Sequence, residues 1–156
     1  MPYVKVIEVY AQPDMDGCEG LLAIVFTNSK SDQRYTPGPV FITPPSASLQ
    51  VAFMRYMHNH KVEAHRHPPQ ERTIRETGEV ILVTVGSVKV DLYTSDGMFQ
   101  NSQVLMAGDL IILYSGGHSL TILEDKTEIL EVKQGPYNHS RDKVPLHRHE
   151  PVEQTA

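Results

Sequence analysis

Short apolar runs broken by Gly, Pro, Asn and Asp dominate this 156-residue chain, and apolar positions at helical spacing do not. That pattern predicts a mostly β domain. Strands are expected at 4–10, 21–27, 40–43, 49–57, 62–67, 79–85, 88–93, 104–105, 110–114, 118–123 and 128–132. Their separators carry turn chemistry. Ser95-Asp96-Gly97 and Ala107-Gly108-Asp109 combine residues that tolerate positive φ or cap their own backbone, as tight hairpin connections demand. The run from Glu79 to Val85, then Gly86, then Ser87 to Tyr93 predicts one such hairpin, with a carboxylate at its mouth. Val80, Ile81, Leu82 and Val83 are apolar on both faces of the first strand, which suits a sheet covered on both sides. Many short strands at regular spacing predict an all-β sandwich or barrel.

Two stretches rich in Asp, Ser, Gly and Pro, 11–20 and 28–39, read as surface loops. Residues 138–156 are polar and aperiodic and read as a tail, suited to lie across a neighbouring subunit. The organisation expected is therefore one domain over 1–137 followed by that tail. At this length a domain buries roughly 70% of the surface of its unfolded chain and needs no covalent staple. The single cysteine, Cys18, has no internal partner, and the first residues lack a basic start followed by an apolar stretch, so a cytoplasmic location is the expectation. No apolar run approaches the roughly 20 residues of a membrane span. Nineteen acidic against 14 basic side chains, with no basic cluster interleaved with aromatics, argue against nucleic acid as a partner.

Candidate chemistry centres on the histidines. His65 and His67, at i and i+2 on an expected strand, would point to one face and offer both imidazoles to one ion. The bland alternative is a pair of solvated strand residues. Glu79 at a barrel mouth needs a partner, because a buried unpaired carboxylate costs several kcal/mol (about) and a divalent cation would satisfy it. His118 follows Gly116-Gly117, where the glycines permit a turn that leads it back into a strand.

Taken together, these residues resemble the cupin superfamily, whose first motif has the form G(x)5HxH(x)3-4E(x)6G and whose second has the form G(x)5PxGxxH(x)3N. His65-Arg66-His67, the Glu79 to Gly86 spacing, Ala107-Gly108-Asp109 and His118 are the counterparts, and the resemblance spans residues 50–133. Gly116-Gly117-His118 and the ending Glu131-Val-Lys-Gln-Gly-Pro-Tyr137 are similar to small bacterial single-domain cupins. The chain departs from the pattern as well. Asn59 stands for the leading glycine and Tyr114 for the motif-two proline, the glycine-to-histidine spacing is one shorter, and no asparagine follows His118 at the usual place.

The resemblance implies a double-stranded β-helix, that is, a jelly-roll barrel, and a homodimer that buries open sheet edges. It also implies one divalent metal ion, iron, manganese, nickel or zinc, held by His65, His67, Glu79 and His118. Glu71 fits the carboxylate position too. Glu79 is preferred because a strongly β segment and a return strand follow it, whereas the residues after Glu71 are too polar for a barrel strand. Three imidazoles and one carboxylate would leave open positions on an octahedral ion, suited to Lewis-acid or oxygen chemistry. Arg72 and Arg75, in the loop expected over the mouth, are candidates for gripping an anionic ligand, and Tyr114 for a hydrogen bond into the pocket. His58 and His60 read as solvated turn residues, and His139, His147 and His149 as tail histidines.

Two functions fit these expectations: a divalent-metal-dependent enzyme acting on a small polar metabolite, of oxygenase or isomerase type, or a non-catalytic module binding a sugar or carboxylate with structural or no metal. Fold does not choose between them.

Overall fold

A computed structural model describes residues 3–11, 20–29 and 38–146. They form ten strands: β1 (Tyr3–Tyr10), β2 (Leu21–Ser29), β3 (Gly38–Phe41), β4 (Ala52–Arg55), β5 (Glu79–Val85), β6 (Ser87–Tyr93), β7 (Phe99–Met106), β8 (Leu110–Leu113), β9 (Gly117–Ile122) and β10 (Glu128–Lys133). All pairings are antiparallel. Among these residues no helix is long and apolar enough to cross a membrane.

A five-stranded sheet, ordered β1-β2-β8-β5-β10, faces a three-stranded sheet ordered β7-β6-β9. Strand alternation decides what lies between them. Val9, Ala23, Val25, Ile81, Val83, Ile111 and Leu113 from the larger sheet meet Val88, Val90, Leu92 and Leu105 from the smaller one in the main core. The opposite face of the larger sheet is apolar too, which explains the uninterrupted run at 80–83. There Ile24, Phe26, Ile112 and Tyr114 pack under the β3-β4 hairpin and the segment that joins those two strands. Phe26 and Phe53 meet edge to face at 5.9 Å between centroids.

Glycines close the turns that the sequence marked. Gly86, Gly97 and Gly108 all have positive φ, between β5 and β6, β6 and β7, and β7 and β8. Asp109 is buried there and accepts a hydrogen bond from the Met106 N–H at 2.9 Å, a side-chain cap on the turn.

The expected strand at 62–67 is absent, a correction with a plain cause. From residue 56 to residue 78 the chain has no strand, and around the histidine pair its side-chain polar contacts are local: Lys61 to Glu63, His65 to the Glu63 carbonyl, Arg72 to Gln70. Val62 and Ala64 are its apolar positions between 61 and 67, and Val62 is exposed. Two small side chains do not bury enough area to offset ordering the backbone. The Pro68-Pro69 pair that follows removes two backbone donors. The loops expected at 11–20 and 28–39 lie mostly outside the described residues, as do Cys18, His147 and His149.

Candidate functional site

The open end of the sandwich is set by register. Glu79 begins β5 opposite Lys133 of β10 and Leu113 of β8, so all three share the inward face of the larger sheet. On the smaller sheet His118 of β9 stands opposite the buried Leu92 of β6 and also points inward. The entrance to β5 is held in place. The Gly78 N–H donates to Gln134 Oε1 at 2.6 Å, and a Cβ at Gly78 would come within 2.8 Å of Leu49 Cδ1.

This register brings His118 Nε2 to 3.2 Å from Glu79 Oε2. The carboxylate is 12% exposed and the imidazole 30%, so the pair is only partly screened by water. Lys133 Nζ approaches Glu79 Oε1 at 3.8 Å, Glu131 at 3.6 Å and Asp142 at 3.0 Å. Burial holds the His118 pKa below its ordinary value, against the opposing pull of Glu79 and Glu131, with Lys143 adding to the depression. Neutral imidazole is therefore favoured. If its Nε2 carries the proton toward Glu79, Nδ1 remains as an acceptor.

The pair lies in the wall of a cavity of about 830 Å³, within the range of small-molecule pockets. Arg75, Tyr93, Ser115 and Ser119 contribute to the same wall, together with residues 141–146 of the segment after β10. Tyr93 Oη and Ser119 Oγ are 3.5 Å apart. The segment expected to be a tail thus folds back onto its own domain. Residues 147–156 lie outside the described set.

Of the expected site residues, the structure brings together Glu79, His118 and Arg75. Glu71 and Arg72 are exposed in the segment before β5, where Arg72 donates to Gln70 Oε1 at 3.0 Å, and neither lines the cavity. Tyr114 belongs to the second core, 6% exposed, with its hydroxyl donating to the Leu49 carbonyl at 2.9 Å. Burial pushes its pKa up to about 12, so it acts as a fixed donor. His65 and His67 are exposed, with ring centroids 5.3 Å apart, and His65 Nδ1 lies 2.9 Å from the Glu63 carbonyl.

Among the described residues no three His, Cys, Asp or Glu side chains gather closely enough to hold a metal ion. Glu79 and His118 supply a carboxylate and an imidazole of suitable chemistry, and the other two expected donors are not beside them. As arranged, the expected four-ligand set does not fit a bound ion.

Sequence reasoning passed over Lys133, Arg141, Asp142 and Lys143. For Lys133 a signal existed: Glu131 and Lys133 occupy alternate positions at the end of a strand, with the apolar Leu130 and Val132 interleaved. Charges on what becomes the inward face mark the end of the core. Asp142 carried no such mark, since its contact spans a chain reversal.

No family model, curated protein or solved structure matches this chain.

Proposed function

We propose that this chain is a small-ligand-binding domain of the cupin kind, a jelly roll whose cavity takes up a small polar metabolite bearing a carboxylate. The observation that carries this reading is a set of three cations in the cavity wall that no described carboxylate pairs with. Arg75, Arg141 and Lys143 line it, and their side chains make no hydrogen bond or ion pair with any described residue. Glu79 and Asp142, in the same wall, share the Lys133 ammonium, and neutral His118 adds a hydrogen bond to Glu79 without cancelling its charge. Glu76 is the remaining carboxylate. An anion entering this space meets positive charge without displacing an existing pair. Glu79 and His118, which the cupin resemblance nominates from positions 39 residues apart, stand 3.2 Å from each other, and that proximity supports the reading. Isothermal titration with citrate, succinate and a neutral sugar, on wild type and Arg75→Gln, tests the proposal: acids bind, the sugar does not, and the variant loses affinity.

A second reading is favoured by the partial buried Glu79 and by the neutral His118, the ligating form of imidazole. Here the domain would be a divalent-metal-dependent enzyme, with His65, His67, Glu79 and His118 as the residues that would hold the ion and Lewis-acid chemistry as what it would supply. Elemental analysis of protein purified without a metal column, against a His65→Ala/His67→Ala variant, decides it. Near one equivalent of metal that the variant loses supports this reading, and metal-free wild type removes it.

A homodimer completes the proposal. Strand β10 is an edge of the larger sheet, with Leu130 and Val132 exposed, and pairing of two copies would cover that edge. Sedimentation velocity on wild type and Val132→Lys measures it.

A further inference from the structure

We infer that residues 138–146 are a latched lid over this cavity, held down by Asp142 on Lys133 and by Leu146 on Gly117. The inference rests on the cavity being a ligand site. Residues 141–146 all contribute to the cavity wall, although the segment belongs to no sheet. Its contacts fall into two kinds, one that makes it a unit and one that ties it down.

Internally it is a compact turn. The Asn138 carbonyl accepts from the Arg141 and Asp142 N–H groups at 3.1 and 2.9 Å. In return the Asn138 N–H donates to Asp142 Oδ1 at 2.9 Å, and Ser140 N–H donates to Asn138 Oδ1 at 3.1 Å. These bonds brace 138–142 as one turn, which carries 143–146 behind it.

Among the described residues the ties to the sheets are few. Asp142 Oδ2 lies 3.0 Å from Lys133 Nζ, with both side chains largely covered, at 15% and 18% exposure. At the other end Leu146 rests on the bare backbone of Gly117, next to His118, where a Cβ would come within 2.6 Å of Leu146 Cδ2. Val144, between these ties, is 84% exposed. Segments held by few contacts open at low free-energy cost while the sheets stay folded.

Two features join the lid to the site. Lys133 serves Asp142 and Glu79 together, so releasing Asp142 leaves Lys133 to Glu79 and Glu131. Two of the three uncommitted cations, Arg141 and Lys143, ride on the lid itself. An anion in the cavity therefore draws the lid shut, and an opened lid takes much of the positive charge away.

Trypsin cleavage of the full-length protein at the Lys143–Val144 bond, followed by intact mass, reads the lid directly, because the enzyme needs an opened segment. Wild type is compared with Lys133→Gln and Gly117→Ala, neither of which alters the lid sequence, with circular dichroism confirming that each folds. Each variant removes one tie by a different route, so cleavage is expected to accelerate about threefold in both, the size of a partly exposed ion pair or a small packing contact. Wild-type rates in both folded variants overturn the lid. Faster cleavage in the variants with no citrate heat in wild type leaves the lid standing and removes the anion reading. Citrate binding with unchanged cleavage does the reverse.

Discussion

His118 and Glu79 reach each other from opposite sheets, Nε2 to Oε2 at 3.2 Å, one from β9 of the smaller sheet and one from β5 of the larger. The contact bridges the open end of the sandwich, and its chemistry is set by partial burial. That gives it a measurable pH signature.

Burial lowers the His118 pKa from 6.5, so the unfolded chain takes up the proton before the folded one does. The sign follows: this residue's contribution to stability is fully present above 6.5 and is lost as pH falls through the folded-state pKa. The urea midpoint should fall between about pH 7 and about pH 5, and fall less in His118→Gln. Since the Glu79 charge raises the His118 pKa, Glu79→Gln should move the imidazole's NMR titration further down.

Tyr114 tests whether the motif-two position serves the core or the cavity. Its hydroxyl donates to the Leu49 carbonyl and ties β8 to the cover over the second core. Tyr114→Phe should cost about 1 kcal/mol in urea unfolding through that lost bond, and leave citrate affinity unchanged. A large affinity loss without a stability loss would put the hydroxyl in the site instead.

Gly116 is fixed by backbone geometry. Its φ is +72°, and a Cβ there would run into the Tyr93 carbonyl oxygen and crowd Leu22 at 3.0 Å. Gly116→Ala should therefore destabilise by at least about 1–3 kcal/mol, combining the left-handed conformation with a backbone clash. Chemical denaturation measures this, and a neutral result would mean that the turn before His118 is less constrained than its geometry implies.

Much of this architecture was legible because burial and turn chemistry agree along the strands. The expected strand 79–85 coincides with β5, since its seven residues lie between a buried glycine and a positive-φ glycine and are apolar at both phases over 80–83. His118 and Glu79 could be nominated because each opens or follows such a turn. The same logic failed at 62–67, where the strand-like spacing of His65 and His67 had only Val62 and Ala64 beside it, too little apolar area to anchor a strand. Tyr114 was legible as important but not in which direction, since alternation leaves open whether a strand end faces the core or the cavity. Lys133 to Asp142 and Leu146 to Gly117 join positions whose proximity depends on a chain reversal, and local pattern carries no trace of it.

The central claim is that the cavity beside Glu79 and His118 binds a small carboxylate through its uncommitted cations. Calorimetric titration of citrate into wild type and Arg75→Gln at neutral pH tests it most directly. The account predicts saturable binding to wild type that weakens about tenfold or more in the variant, as expected for loss of a charge-assisted hydrogen bond. Absence of binding to wild type, or equal affinity for both proteins, would contradict it.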